Sequence, residues 1–139
     1  MIKYLISCFI FFVSVCFSQV INPVVINVQS DSSARAGEVI NIVIDAKMDS
    51  EWKIYSIYKI VDGPLATEIE IAGESISSIA KIIEPKPTEK YDPGFDITSF
   101  YHKGNTRFST QVRMKKDLIP GVYELIVKVY YQVCNERLC

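Results

Sequence analysis

Regular alternation between apolar and polar side chains is the feature that most limits how this chain can fold. In the segment EVINIVIDAKM at 38–48, one parity carries Ile40, Ile42, Ile44 and Ala46, and the other carries Asn41, Asp45 and Lys47. Successive side chains of a β-strand point to opposite faces of its sheet, whereas a helix repeats every 3.6 residues. The segment therefore predicts a strand with one buried face and one solvated face.

Similar apolar, β-branched runs recur along the chain, separated by turn residues such as DGP at 62–64 and IPG at 119–121. We expect further strands at 23–28, 51–60, 66–71, 106–114 and 122–133, whereas 75–83 is compatible with a strand or an irregular segment. The proline-rich segment at 84–94 is predicted to be a loop, because proline cannot occupy a central strand. About seven short strands at this spacing predict an all-β fold, an immunoglobulin-like antiparallel β-sandwich.

The amino-terminal segment differs from the rest of the chain. Lys3 is followed by an uncharged, mainly apolar run at 4–17. Such a run suits the core of an export signal and is shorter than the ~20 residues of a membrane span. We therefore predict that residues 1–18 are a removed signal peptide and that residues 19–139 form one exported domain. The weaker alternatives are an uncleaved anchor and lipoprotein processing at LISC or VSVC.

Charge and motif content argue against several classes of function. The chain has 15 Lys and Arg residues against 16 Asp and Glu residues, and loss of Lys3 with the signal leaves 14 against 16, a net charge of −2. The mature chain has no basic stripe, so we predict no nucleic-acid partner. It has one histidine, His102, no GxSxG motif and no glycine-rich phosphate loop, so neither a serine hydrolase nor a cofactor is predicted.

Two closely spaced cysteines remain once Cys8 and Cys16 leave with the signal. Cys134 and Cys139 are separated by four residues, and an exported chain meets an oxidising compartment where disulfides form. A loop this short can bring the sulfurs together but stabilises the fold by only about 2 kcal/mol. A cross-link placed for stability would more usefully tie distant strands. Spacing alone leaves open a structural disulfide, a redox-active pair and a metal site. The metal site is the weakest of the three, because structural zinc needs four ligands and the mature chain offers two cysteines and one histidine.

Aromatic residues raise a second question of function. The polar, glycine-containing segment SFYHKGNTRF at 99–108 carries Phe100 and Tyr101. They could plug one end of the sandwich or form a mobile cap over a reactive site. Tyr55 has the opposite parity to Trp52 and Ile54, so it faces solvent or another element if those two residues are in the core.

Four ordered segments resemble one known family. These are EWKIYS at 51–56, GPLATEIEI at 63–71, KYDPGFDITSFYHKGNTRFSTQV at 90–112 and YQVCNERLC at 131–139. They are similar to segments of the N-terminal periplasmic domain of the thiol:disulfide interchange protein DsbD and of related disulfide bond corrector domains. The resemblance covers nearly all of the mature chain. It implies an immunoglobulin-like sandwich that carries a redox cysteine pair in the periplasm.

The resemblance also implies unequal roles for the site residues. Cys139 corresponds to the attacking thiol and Cys134 to its resolving partner. Phe100 and, less directly, Tyr101 correspond to cap aromatics, and Tyr55 to an aromatic near the pair. The implied partners are thioredoxin-like proteins or domains. Some supply electrons, and others, such as disulfide isomerases and thiol proteins of cytochrome c maturation, receive them. A membrane electron-transfer partner is also possible. The alternative is an exported binding or scaffold domain with a structural disulfide.

The chain departs from the family pattern at several positions. Lys53 stands where an aromatic residue or histidine is commoner, and Glu51 stands where glycine is commoner. Ser99 lies at about the place where some members carry an acidic cap residue. The family usually continues past its second cysteine, so we expect this sequence to be truncated at its carboxyl end.

Overall fold

The protein, seen in a computed structural model that describes residues 22–139, is built from antiparallel strands. The proposed signal peptide lies outside these residues. The strands are β1 (Val24–Ser30), β2 (Val39–Met48), β3 (Lys53–Tyr55), β4 (Glu68–Ala72), β5 (Ile76–Ile79), β6 (Thr88–Asp92), β7 (Ile97–Lys103), β8 (Asn105–Met114), β9 (Ile126–Tyr130) and β10 (Val133–Cys134). Between residues 22 and 139, no helix has the length and apolar character needed to cross a membrane.

The strands form two four-stranded sheets and one two-stranded ribbon. The first sheet has the order β1-β2-β8-β5, the second has the order β10-β3-β7-β6, and β4 pairs with β9. Every pairing is antiparallel. Apolar side chains from the first sheet, from β3 and from the ribbon meet in one core. The predicted all-β, immunoglobulin-like sandwich is therefore confirmed.

The core follows the two-residue period of the sequence. Strands β2 and β8 pair over most of their length, with Ile44 opposite Phe108 and Ile40 opposite Val112. All four side chains are buried, and Phe108 and Ile44 are fully enclosed. Complete burial of a side chain of this size contributes roughly 1.5–3 kcal/mol. These alternating residues form the centre of the main core, to which neither cysteine belongs.

One segment predicted to be a loop contains a strand. The loop prediction for 84–94 is wrong for residues 88–92, which form β6 at the edge of the second sheet. Pro87 precedes this strand and Pro93 follows it, so neither proline interrupts a pairing, and an edge strand needs hydrogen bonds on one side only. The stretch containing Phe100 and Tyr101 belongs to β7, which ends just before Gly104. Gly104 has φ +70, and this left-handed conformation lets the chain turn from the second sheet into the first.

The predicted strand at 122–133 divides into two elements. Residues 126–130 form β9, which pairs with β4, whereas Val133 and Cys134 form β10, which pairs with β3. The chain therefore changes partners at Tyr131 and Gln132. This change moves the end of the chain onto the second sheet and brings Cys134 beside β3. The predicted strand at 51–60 is likewise shorter, since only Lys53–Tyr55 is paired.

Candidate functional site: a disulfide at the edge of an aromatic cavity

Cys134 owes its position to the register of the two shortest strands. Val133 lies opposite Ile54, and Cys134 lies opposite Lys53. Because side chains alternate along a strand, Val133 and Ile54 pack against the core while Cys134 and Lys53 share the other face of the sheet. Cys134 is only 1% exposed. The sulfur is thus covered by something other than the main core.

The cysteines are joined by a disulfide that closes a compact loop. The bond links Cys134 to Cys139, whose Cα atoms are 4.2 Å apart. The side-chain oxygen of Asn135 accepts hydrogen bonds from the backbone N–H groups of Arg137 and Leu138, both at 2.8 Å. The backbone N–H of Asn135 donates to the carbonyl of Leu138 at 2.9 Å. The loop is therefore folded by its own hydrogen bonds as well as by the disulfide, and Cys139 is left exposed.

A cavity of about 520 Å³ opens beside the disulfide, and we call it the cysteine cavity. Its wall combines the loop with the outer face of the second sheet and the turn between β6 and β7. Its lining includes both cysteines, Lys53, Tyr55, Asp92, Phe95 and Tyr101. The site thus places an exposed sulfur and a buried sulfur at one partly enclosed surface.

The chain matches a known family over nearly all of its described length. A family model described as "Thiol:disulfide interchange protein DsbD, N-terminal" matches residues 24–139. The chain belongs to the DsbD N-terminal family. No curated protein and no solved structure gives a significant match. Family membership indicates a role in thiol–disulfide exchange with thioredoxin-like partners, and this DsbD N-terminal domain carries its disulfide between Cys134 and Cys139.

Aromatic side chains cover the buried sulfur of the DsbD N-terminal domain. Tyr55 of β3 lies opposite Tyr101 of β7, and both are buried in a cluster with Cys134 that is separate from the main core. Phe95 packs against this cluster, and its ring meets the Tyr55 ring edge to face, with the centroids 6.1 Å apart. Edge-to-face contacts of this kind are favourable for aromatic pairs. The structure therefore brings together Cys134, Cys139, Tyr55 and Tyr101.

Phe100 is placed elsewhere. It neighbours Tyr101 in β7 and so points to the opposite face of that strand. Its ring packs against Tyr58 at a centroid distance of 5.3 Å, and the described residues that line the cysteine cavity do not include it. The aromatic residue that covers the site from the β6–β7 turn is Phe95, which the sequence patterns did not single out. The sequence pattern that marks this turn is DPGFD at 92–96.

A charged group is buried under this turn. Asp92 is hydrogen-bonded by the Lys53 ammonium at 2.6 Å, by the Tyr55 hydroxyl at 2.8 Å and by the Gly94 backbone N–H at 3.1 Å. Burial by itself would raise the pKa of Asp92. The hydrogen bonds and the charge of Lys53 outweigh burial and hold that pKa below its usual range. Asp92 therefore stays ionised and links the turn to the floor of the cavity.

The same contacts affect the two partners of Asp92. Burial, followed by the hydrogen bond and the negative charge of Asp92, raises the pKa of Tyr55 far above its usual value. Tyr55 therefore remains a neutral hydrogen-bond donor. The Lys53 ammonium lies over the rings of Tyr55 and Tyr101, at 5.0 and 5.2 Å from their centroids, an attractive cation–π arrangement. The unusual lysine noted in the sequence is thus held by one carboxylate and two aromatic rings.

Ser99, at about the place where some family members carry an acidic cap residue, lies beside an acidic side chain of β6. Its side chain is buried, and its hydroxyl lies 3.5 Å from a carboxylate oxygen of Asp92. The acidic side chain beside Ser99 belongs to Asp92, which strand pairing places opposite Ile97 at the start of the turn. Among residues 22–139, no three His, Cys, Asp or Glu side chains converge as a metal site would require.

Proposed function

We propose that this domain is an exported, periplasmic relay that transfers reducing equivalents through the Cys134–Cys139 pair. The observation that carries the proposal is the unequal exposure of the two sulfur-bearing residues at the mouth of the cysteine cavity, since Cys134 is 1% exposed and Cys139 is exposed. Disulfide exchange requires direct access of a thiolate to one sulfur. Cys139 provides that access, and Cys134 is protected until exchange has begun.

Electrons enter through Cys139. A thiolate of a thioredoxin-like donor attacks the Cys139 sulfur, the Cys134–Cys139 bond breaks, and its electron pair leaves on Cys134. The second donor thiolate then attacks the donor sulfur of the mixed disulfide and releases Cys139 as a thiolate. The donor is oxidised to a disulfide, and the domain becomes a dithiol after two protons are taken up. A membrane electron-transfer protein would regenerate the donor.

Electrons leave by the reverse chemistry. The Cys139 thiolate attacks the disulfide of an acceptor, such as a disulfide isomerase or a thiol protein of cytochrome c maturation. The Cys134 thiolate then attacks the Cys139 sulfur, re-forms the internal disulfide and releases the reduced acceptor. The hydrogen bonds that Asn135 makes within the loop support this step, because they keep the two cysteines close after the covalent link has opened.

The first test is the reduction potential of the pair. Equilibration of the purified domain with glutathione or dithiothreitol buffers should give a potential above about −300 mV, the range of exchangeable disulfides. A potential below that value would identify an inert cross-link and support the alternative, an exported scaffold domain with a structural disulfide.

Matched cysteine variants test the assignment of roles. Cys134→Ser should accumulate a mixed disulfide with a thioredoxin-like protein, because the attacking thiol remains and the resolving thiol is gone. Cys139→Ser should accumulate far less, because its remaining thiol is buried. Non-reducing gels and mass spectrometry measure both adducts. Equal trapping by the two variants would contradict the assignment.

A further inference from the structure

Gln132 lies where the chain changes from β9 to β10, and its half-buried side chain joins two parts of the molecule. Its amide oxygen accepts a hydrogen bond from the backbone N–H of Leu65 at 2.7 Å. Its amide nitrogen lies 3.7 Å from the sulfur of Cys134 and donates to it. Its backbone carbonyl accepts from the Tyr55 N–H at 3.4 Å. The residue is thus anchored at both its backbone and its side chain.

The contact with Leu65 determines which end of the amide faces the sulfur. A backbone N–H can only donate, so the group it meets must be the amide oxygen. If the amide were reversed, two donors would face each other at this contact and the oxygen would face the sulfur. The arrangement with the amide nitrogen toward Cys134 is therefore the one that satisfies both hydrogen bonds.

We propose that Gln132 is a catalytic residue of the interchange reaction, because its amide N–H stabilises the Cys134 sulfur as a thiolate. The inference rests on the proposed function and assigns one further residue to it. When a donor thiolate attacks Cys139, the electron pair of the broken bond moves onto the Cys134 sulfur, and the Gln132 N–H meets the charge that forms there. A more acidic thiol is a better leaving group in thiol–disulfide exchange.

The same contact acts when the internal disulfide re-forms. Cys134 must then be present as a thiolate to attack the Cys139 sulfur, and hydrogen bonding to the charged form increases the fraction of thiolate. Gln132 carries no charge, so it gives this help without attracting or repelling a charged partner. Its donor also lies on the buried side of the pair, away from the sulfur that a partner must reach.

Other charged groups around the cavity also influence the acidity of Cys134. Cations are contributed by Lys53 of β3, Lys90 of β6, Lys103 of β7 and Arg137 of the loop; anions by Glu51, Asp92 and Glu136; and titratable hydroxyls by Tyr55, Tyr91 and Tyr101. Lys53, the strand neighbour of Cys134, is already paired with Asp92. A neutral substitution at Gln132 leaves all these charges in place, so a change in the acidity of the Cys134 thiol would not come from an altered charge at the cavity.

The experiment compares Gln132→Met, which has a similar length and no N–H donor, with Gln132→Glu. The glutamate keeps an acceptor for Leu65 but presents a carboxylate to the sulfur. Gln132→Leu, which is also neutral and has no donor, takes the place of Gln132→Met if that variant does not fold. Gln111→Met is the matched control, because Gln111 is exposed on β8 and its side chain bonds Asn41. The thiol acidity of Cys134 is measured in a Cys139→Ser background from thiolate absorbance against pH. Reduction of the intact disulfide by dithiothreitol is measured as a rate.

Gln132→Met should lower the acid dissociation constant of the Cys134 thiol about tenfold, the effect of one hydrogen bond to a charged group. It should also slow reduction of the disulfide severalfold, Gln132→Glu should change both quantities further in the same direction, and Gln111→Met should change neither. Values within twofold of the parent for Gln132→Met would overturn the role of Gln132. A response to Gln132→Glu alone would overturn it too, because simple charge repulsion would then explain the result.

Failure of the proposed function would look different. A reduction potential below about −300 mV in the unsubstituted protein would reject the interchange function. That measurement is made with Gln132 in place, whereas the effect of Gln132 on the acidity of the Cys134 thiol is measured between variants and without a redox partner, so the two failures can be told apart.

Discussion

At the residue scale, Asp92 connects three parts of the site through one carboxylate. Lys53 and Tyr55 bind it from β3, and Gly94 binds it from the turn. Only 8% of the Asp92 side chain and 18% of the Lys53 side chain are exposed, so water cannot readily replace these partners. Loss of the carboxylate would leave a half-buried ammonium group without its counter-charge, which is costly in a protein interior.

We predict that Asp92→Asn lowers the free energy of unfolding by about 2 kcal/mol at pH 7. Because the folded-state pKa of Asp92 lies below its unfolded value, its contribution is complete above about pH 4 and is lost as the pH falls through the folded pKa. The difference between parent and variant should therefore shrink in acid. Urea unfolding at a series of pH values measures it.

The control is Lys53→Met, which leaves Asp92 its bonds from Tyr55 and Gly94. This variant should move the acid-dependent loss of stability to higher pH, because the cation that helps to lower the pKa of Asp92 has gone. A difference between parent and Asp92→Asn that stays constant from pH 7 to pH 2 would contradict the assignment of an ionised carboxylate.

At the scale of elements, the β6–β7 turn forms one wall of the cysteine cavity and packs against the cluster that contains Cys134. Asp92 binds the Gly94 N–H within the turn, Tyr91 donates a hydrogen bond to Asp96 across its base, and Phe95 projects onto Tyr55. Asp96 has φ +57, a left-handed conformation that aspartate tolerates better than most residues. The turn is therefore a structured cover that presents Phe95 to the site.

We predict that Phe95→Ala speeds reduction of the disulfide by a small reagent such as dithiothreitol by about tenfold, because removal of the ring opens the covered side of the cavity. Stopped-flow measurement of the dithiol product gives the rate. Phe100→Ala is the matched control: it removes the same side chain from the opposite face of β7, where it contacts Tyr58, and should leave the rate within twofold. Faster reduction of Phe100→Ala than of Phe95→Ala would restore the cap role that the family resemblance assigned to Phe100.

A second polar cluster holds β3 and β7 on the other side of the sheet. Glu84 accepts hydrogen bonds from the Ser56 hydroxyl and the Ile57 N–H, and it pairs with His102 at 3.0 Å. The side chains of Glu84 and His102 are almost fully buried. Glu84 thus connects the segment before β6 to the strands that carry Tyr55 and Tyr101.

Glu84→Ala should lower the free energy of unfolding by about 2–4 kcal/mol, because several buried partners lose their acceptor. Chemical denaturation measures the loss, and exposed Glu124→Ala should change stability by less than about 0.5 kcal/mol. Equal effects of the two substitutions would show that the Glu84 cluster has no special part in stability.

At the scale of the whole molecule, the disulfide stands apart from the forces that hold the sandwich together. The main core contains Phe108, Ile44 and Val112, and neither cysteine belongs to it. The bridge closes a loop of only a few residues, which limits how much entropy it removes from the unfolded chain. We therefore expect the sandwich to fold with the disulfide formed or reduced, as the proposed relay requires.

We predict that the double substitution Cys134→Ala and Cys139→Ala lowers the free energy of unfolding by about 2 kcal/mol or less and leaves the sandwich folded. Far-ultraviolet circular dichroism and urea unfolding check both statements. Phe108→Ala provides a comparison, because a fully buried phenylalanine should cost about 3–5 kcal/mol. Unfolding of the cysteine-free protein at room temperature would show that the bridge is structural.

Alternation in the sequence predicts the paired core strands well, since β2 and β8 bury one parity over their whole length. It does not reveal the change of partner between β9 and β10. Val129, Tyr131 and Val133 all pack against the core, so the two-residue period continues without interruption while the chain moves from one sheet to another. The two-residue period of a sequence indicates which face of the sheet a side chain points to. It does not indicate which strand lies beside it.

The sequence likewise predicts only some of the residues that form the site. The cysteines, Tyr55 and Tyr101 were identifiable from spacing and from the family pattern. Phe95, Asp92 and Gln132 were not, because their importance depends on contacts with residues distant in sequence. The hypothesis that Phe100 belongs to a cap did not assign the segment SFYHK at 99–103 to a strand. Once that segment is a strand, Phe100 and Tyr101 must face opposite sides, and only Tyr101 can reach the cavity.

Strands β3 and β10 each have one face in the core and one face toward the cavity, and this affects which substitutions the protein can tolerate. Ile54 and Val133 belong to the core, whereas Lys53 and Cys134 face the cavity. Mutations on the cavity side, away from the Asp92 cluster, can therefore be sampled with little penalty to folding. A combinatorial library confined to the cavity-lining residues 90, 103 and 137 should yield mostly folded members whose disulfides differ in reduction potential. Substitutions on this face can thus change the surface around the disulfide while the core of the sandwich stays the same.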